Sequence, residues 1–435
     1  MTAPEGAAPE PVAAITDAAA RQQVEEAGRL AKAAALKLAT LSTQTKNDAL
    51  LLMAEALVDA IDVIIAANGR DLRAAEEAGL SDTLLDRITL TPARIAAMAD
   101  GVRAVAALRD PIGRRILGLK RPNGLVVQQV RVPIGVVGII YDGRPTVVAE
   151  AVSLCLKSGN AILLWGGANG HETNLVVTGV IVRAATRAGV PGGAVHCIAA
   201  ADPAAGQAML HLTQFIDVLI PQGHAELIRT VVETATVPTI KTGVGNCHVY
   251  VHAGALLDMA VDIAFNAKVQ RPGAGNSMET LLVDRAAAEE FLPLIAPRLA
   301  AAGVELRGCP VTRRILRGVR PAAEQDWYRD YLAPMLAIKV VGGLDEAVDH
   351  INKYGSRHSE AIVTSDYFAA RRFCEEVDAA VVYVNASTRF TDGFEFGLGA
   401  EVGISTQKLH ARGPMGLEAL TTIKWVVEGE GQVRS

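Results

Sequence analysis

The spacing of apolar and polar positions changes twice along the chain. From about Val12 to Leu108 apolar residues recur every three or four positions in an alanine-rich background, and LTPARIAAMADGV places a proline at the start of a new segment. That period predicts a layer of amphipathic helices. The stretch RRILGLKRPNGLVVQQVRVPIG then alternates β-formers around Pro122-Asn123-Gly124. An Asn-Gly pair between alternating runs predicts a β-hairpin, a shape that can serve as an arm in subunit pairing.

Beyond the arm, short apolar runs (GVVGIIY, NAILLWGG, AVHCIAA, IDVLIP) alternate with amphipathic segments, and a second such round runs from about Val237 to about Asn385. This alternation predicts parallel sheets covered by helices on both faces, so the fold class is α/β with two doubly wound domains. The expected division has 1–12 as a disordered leader, 13–114 with 134–236 as a dinucleotide-binding-type domain, and 237–390 as a catalytic-type domain. Residues 115–133 and 418–435 form an oligomerisation arm and a tail, the tail's TTIKWVV run completing a sheet edge with the arm.

Composition narrows the function. Half of the 435 residues are apolar, 4% are aromatic and the formal net charge is −5. With no block of like charge, nucleic acid and anionic membrane are poor partners, and a small molecule is expected. No apolar run reaches the roughly 18 residues needed to span a bilayer. Cys155, Cys197, Cys247, Cys309 and Cys374 lack CxxC spacing, which suits neither a zinc site nor a disulfide framework; no metal is expected, and a cytoplasmic location is.

Several long strings carry a specific resemblance. AVDHINKYGSRHSEAIVT (Ala347 to Thr364), TGVGNCHVYV, NAKVQRP, RVPIGVVGIIYDGRP and FTDGFEFGLGAEVGISTQKLHARGPMGLEALTT resemble segments of the γ-glutamyl phosphate reductases, within the aldehyde dehydrogenase superfamily. The resemblance implies an aldehyde dehydrogenase-like fold and NADPH-dependent reduction of an acyl phosphate through a cysteine thioester. In the family that cysteine stands in QRPSVCN. Here the string is Gln270-Arg271-Pro272-Gly273-Ala274-Gly275-Asn276, with Gly275 at the place of the nucleophile.

The cofactor strings also differ. Where the family reads LRGG this chain has Trp165 before two glycines, and where it reads IPRGG this chain has Gln222 and His224 flanking Gly223. Asp330 stands where the resemblance implies a glutamate on the nicotinamide ribose. By contrast, Lys157, Asn246, Arg271, Asn276, Lys408, His410 and Arg412 lie in family-like strings, and cations and amides suit a phosphate and an α-carboxylate. Cys155 and Cys247 are read as small apolar residues, and His358 and His410 as structural.

The first expectation is therefore an enzyme that binds γ-glutamyl phosphate or a related acyl phosphate and passes the acyl group to an amine without a cofactor, with Asn276 at the site and His224 as a base. The alternatives are an NADP-dependent glutamate-5-semialdehyde dehydrogenase and a non-catalytic partner of an acyl phosphate-forming kinase. A homo-oligomer is expected in each case.

Overall fold

The computed structural model describes residues 17–199, 202–243 and 245–434. The leader assigned to 1–12 lies outside the described residues. The chain opens with five helices, α1 (Asp17–Leu38), α2 (Thr43–Asp59), α3 (Ile61–Glu77), α4 (Asp82–Ile88) and α5 (Pro92–Ala107). Hydroxyls set two of their starts: Ser42 accepts from Thr45 N, and Thr91 accepts from Arg94 N just ahead of Pro92. Both arrangements satisfy amides that a helix leaves unpaired at its N-terminus.

The hairpin follows as β1 (Arg115–Lys120) and β2 (Val126–Pro133), turning through Gly124 at φ 90°. The first α/β unit is β3 (Val136–Tyr141), α6 (Pro145–Lys157), β4 (Ala161–Trp165), α7 (His171–Arg187), β5 (Val195–Cys197), α8 (Pro203–Leu210), β6 (Val218–Gln222) and α9 (Ala225–Thr234). Its four parallel strands run in the order β5-β4-β3-β6. The winding reverses between β3 and β6, so a crevice opens at the carboxyl ends of these strands, where open α/β sheets bind ligands.

The second unit comprises β7 (Cys247–Val251), α10 (Leu257–Val269), β8 (Met278–Asp284), α11 (Arg285–Ala301), β9 (Glu305–Gly308), α12 (Pro310–Ile315), β10 (Arg320–Pro321), β11 (Met335–Val341), α13 (Leu344–Tyr354), β12 (Ser359–Val363), α14 (Tyr367–Glu376) and β13 (Val381–Val384). Its sheet has seven parallel strands in the order β10-β9-β11-β8-β7-β12-β13. β7 and β8 are buried along their whole length, including His248, Glu279 and Thr280, which sit among the apolar residues of these central strands.

The segment after β13 was not given a place by the sequence pattern. It returns to the first unit: β14 (Ile404–Ser405) pairs with β15 (Gly413–Pro414), and Ala400, Val402, Met415, Leu417 and Leu420 join the core formed by the helical layer and the first sheet. This return closes one side of the space between the units. The last strand, β16 (Thr421–Glu428), pairs antiparallel with β2, Trp425 opposite Gln129, and makes the arm a three-stranded sheet. Among the described residues no helix is long and apolar enough to cross a membrane.

Candidate active site

The loop from Arg271 to Ser277 joins α10 to β8 and is fixed at both ends. Ala274 N donates to Arg271 O and Ser277 N to Ala274 O, so the chain makes two successive turns. Asn276 Nδ2 donates to Thr391 O at 2.7 Å, and Thr388 Oγ1 returns a bond to Asn276 O at 2.7 Å. Asn276 thus staples the loop to the segment after β13, and its side chain has a supporting role. Gly275 sits at the centre of this stapled loop. Its carbonyl lies against Gly245, where any β-carbon would collide with it.

Beneath that carbonyl is Cys247. Its Sγ points at Gly275 O at 3.4 Å and lies 3.7 Å from His358 Nδ1. The thiol is completely buried, and desolvation, followed by the nearby Glu360 carboxylate, pushes its pKa well up. His358 is also buried, and desolvation lowers it to about 4, so it is neutral at pH 7. It continues a chain of hydroxyls: Nδ1 meets Ser359 Oγ at 2.9 Å, Ser359 meets Thr391 Oγ1 at 2.6 Å, and Tyr383 meets the same Thr391 at 2.8 Å. Cys155 is far more ordinary, a buried thiol within the core of the first unit, with its pKa raised by burial alone.

From Arg271 the loop borders a cavity of about 350 Å³ between the units. Four arginines line it: Arg87 and Arg94 from α4 and α5, Arg144 from the turn after β3, and Arg271. Asp142 holds two of them, Arg144 Nε at 2.8 Å and Arg87 Nη2 at 3.4 Å, while Arg94 is pinned by Asp86 at 2.6 Å. The Arg271 guanidinium has no hydrogen-bond or ion-pair partner among the described residues. Desolvation, with repulsion from Arg144 and Arg271 opposed by Asp142, lowers the pKa of Arg87, as expected of a cationic wall short of anions.

One glutamate lines the same cavity. Glu150 opens toward it, and burial pushes its carboxyl up to about 7. Glu401 stands behind the lining residue Ala400: burial and repulsion from Asp392 and Glu150 push it up to about 8, and its Oε2 is closed off from solvent without a partner. The cavity is therefore bipolar, since its arginines can bind a carboxylate and a phosphate and Glu150 can bind an ammonium group.

The crevice at β3, β4 and β6 has a different lining. Gly223, at φ 153°, stands between β6 and α9 where a β-carbon would press on Asp142 and Leu227. The turn brings the N-terminus of α9 to the point where the winding reverses, with its Leu227 amide already taken by the His224 side chain. In the second unit Asp330 accepts from Gly245 N at 3.2 Å through Oδ2, and its Oδ1 is buried without a partner. This frame fits a dinucleotide. Its charge is another matter: Gln222 is buried and donates to Val402 O at 2.8 Å, and the indole of Trp165 packs over Gly206 of α8. Neither residue offers a cation for an additional cofactor phosphate.

Several expected site residues are placed elsewhere. Lys157 is wholly buried at the end of α6, where Nζ donates to Ala106 O at 2.7 Å and to Asn47; it ties helices together and touches no cavity. Asn246 spends its amide on Trp327 O and Tyr354 O, bracing loops within the second unit. Lys408 and Arg412 are exposed and pair with Asp378, and His410 is exposed with Nε2 on Ala419 O. His224 caps α9, its Nδ1 accepting from Leu227 N, and does not line the arginine cavity, so it is not placed as a base there. Of the substrate residues named from sequence, Arg271 alone lines the cavity. Arg144 and Phe394 lay within the family-like strings without being singled out, and Arg87 and Arg94 lay in a helical stretch read only as scaffold.

The family model of the aldehyde dehydrogenase family matches residues 5–307 and 300–426. The γ-glutamyl phosphate reductase of Moorella thermoacetica is 56% identical over 412 residues, covering 95% of this chain and 99% of that protein. The one from Clostridium novyi is 53% identical over 94% of this chain and 99% of its own length. The crystal structure of the Thermotoga maritima γ-glutamyl phosphate reductase superposes with a TM-score of 0.92 at 46% identity, covering 95% of this chain and all of that one. An acetylating aldehyde dehydrogenase from Geobacillus thermoglucosidasius shares the fold at 20% identity and a TM-score of 0.70, covering 96% of this chain and 99% of its own. By its sequence match along nearly its whole length and its two-unit architecture with a strand-paired arm, this chain belongs to the aldehyde dehydrogenase family and, within it, to the γ-glutamyl phosphate reductases.

Proposed function

We propose that this chain binds γ-glutamyl phosphate in the bipolar cavity and acts on it as a reductase, the activity carried in the names of its relatives, with NADPH as the hydride donor. The observation behind the binding mode is that four arginines and Glu150 line one cavity beside the Gly275 loop. Arg271 and Arg144 take the anionic groups, and Glu150 takes the α-ammonium. Identity above half over 95% of the chain supports the reaction class.

The thiol in this reading is Cys247. Its use as a nucleophile requires the Asn276 staples to Thr391 and Thr388 to open, so that the burial raising its pKa is relieved and His358, 3.7 Å away, accepts the thiol proton. The thiolate attacks the acyl carbon, the C–O bond to phosphate breaks, and phosphate departs against the arginines. A nicotinamide dinucleotide, when bound, supplies hydride; the turn at Gly223, the N-terminus of α9 and Asp330 would hold it.

A second reading is favoured by one specific observation. Gly275 has no side chain and Cys247 is sealed with a raised pKa, so attack by an amine on the bound acyl phosphate, giving an amide, needs no protein thiol. One experiment separates the two: incubation with a glutamate 5-kinase, glutamate, ATP, NADPH and a panel of amines. Reduction consumes NADPH and yields pyrroline-5-carboxylate, and is lost in Cys247→Ala. Transfer yields γ-glutamyl amide and survives that substitution. A kinase complex with neither product would turn the reading toward a scaffold. The arm exposes Ile116, Ile423 and Trp425 on its strands, which supports self-association through it.

A further inference from the structure

A second hollow, of about 770 Å³, lies where three segments meet and shares no lining residue with the arginine cavity. Thr239 and Lys241 come from the crossover between the units, Ser356 and Arg357 from the end of α13, and Thr406 and Lys408 from the stretch after β14. The segments are bound together, since Lys241 N donates to Gln407 Oε1 at 2.8 Å and Thr242 bridges to Ser405.

The charges here do not balance. Asp378 is shared by Lys408 at 2.9 Å, Arg412 at 2.8 Å and Arg357 at 3.7 Å. Lys241 adds a further ammonium with no ion-pair partner among the described residues, although Glu226 and Glu233 of α9 border an adjoining hollow that it also lines. Three cations thus share one carboxylate, and a fourth, Lys241, lines the same hollow.

Two further observations point into the same place. Arg357 has φ 64°, left-handed backbone that a residue with a β-carbon rarely adopts. It is held there because Ala380 N bonds its carbonyl at 2.9 Å and the next residue, His358, is buried. Non-glycine residues kept in that region concentrate at binding and catalytic sites. Ser356 Oγ is closed off from solvent and has no hydrogen-bond partner, a donor with an acceptor missing.

We propose that this hollow is an anion site for a phosphate group, with Lys241, Arg357 and Lys408 supplying charge and Ser356 a hydroxyl donor. A doubly charged phosphate suits the surplus of cations better than a single carboxylate does. The phosphate can come from inorganic phosphate, such as cleavage of an acyl phosphate releases, or from a phosphorylated nucleotide.

Calorimetric titration of the full-length protein tests this with inorganic phosphate and, separately, adenosine 2′,5′-bisphosphate. Arg144→Ala/Arg271→Ala disables the first cavity, so phosphate binding that persists in it reports on the second. In that background Lys241→Ala, which breaks no ion pair, weakens the remaining site about tenfold, the equivalent of one charge-assisted hydrogen bond. Lys408→Ala weakens it similarly. Tighter binding of inorganic phosphate identifies that source, and tighter binding of the bisphosphate identifies a nucleotide. Loss of all binding in the double variant, or a remaining site indifferent to Lys241 and Lys408, overturns the proposal. Substrate binding in the first cavity stands or falls separately, through the Arg271 variant alone.

Discussion

A β-carbon built on Gly275 would stand 4.0 Å from His358 Nε2 and meet nothing closer. The loop therefore holds space for a side chain beside a neutral imidazole. Gly275 also avoids positive φ, so a larger residue adds no backbone strain. We expect Gly275→Cys to fold with a stability change within about 0.5 kcal/mol, the range of an unstrained substitution into open space. It should form a covalent acyl-enzyme with γ-glutamyl phosphate, detected by intact mass. Absence of that adduct would show that the acyl group does not reach the loop.

The rate of reduction should depend on the cofactor site as well as on a thiol. Trp165 and Gln222 present no cation, and Gln222 is committed to Val402 O. NADPH should bind with a dissociation constant weaker than about 10 µM, roughly −7 kcal/mol, measured by calorimetry. Gly275→Cys with Trp165→Arg, Gln222→Arg and His224→Gly should tighten it. The Gln222 change carries a cost of about 1–3 kcal/mol in stability, because Val402 O loses its donor in a buried place. Tight NADPH binding by the unaltered protein would show that the loss of charge at these positions is compensated.

The fold was largely legible because its signals are local. The Asn-Gly turn and the alternation of strand and helix follow from residues adjacent in sequence, and the β-former run TTIKWVV marks an edge strand even though its partner β2 lies far away in the chain. The cavity was not legible for the opposite reason. Arg87, Arg144, Arg271 and Phe394 are far apart in sequence and line one cavity only when the chain returns to the first core. Lys157 misled because a lysine in a family-like string carries the same letter whether it meets a ligand or caps buried carbonyls. Its position in the apolar face of α6, the feature that made Cys155 read as a core residue, was the available warning.

Lys157 provides a direct check of that correction. Lys157→Ala leaves the Ala106 carbonyl and Asn47 without their buried donor, and should lower unfolding stability by about 3 kcal/mol in denaturant titration. Affinity for glutamate should stay unchanged. Arg271→Ala should do the reverse, keeping stability and weakening glutamate binding about tenfold or more. If Lys157→Ala selectively abolished binding, its placement as a structural residue would be wrong.

The cavity's glutamate and the one behind it make binding depend on pH in a calculable direction. Glu150 and Glu401 are pushed up to about 7 and about 8, so at pH 6 both are largely protonated and at pH 9 both are largely charged. Only the charged forms attract an ammonium group, so the preference for glutamate over glutarate, which lacks that group, should grow between pH 6 and pH 9. Stability moves the opposite way. A carboxyl raised in the folded state keeps its proton there after the unfolded chain has released its own, so the contribution is full below about 4.5 and is lost as pH rises through 7 and 8. Melting temperature without ligand should therefore decline across that window by more than it does in Glu401→Gln. The same variant should show a smaller rise in glutamate preference with pH. A preference that is flat with pH in the unaltered protein would mean that the ammonium group does not face Glu150.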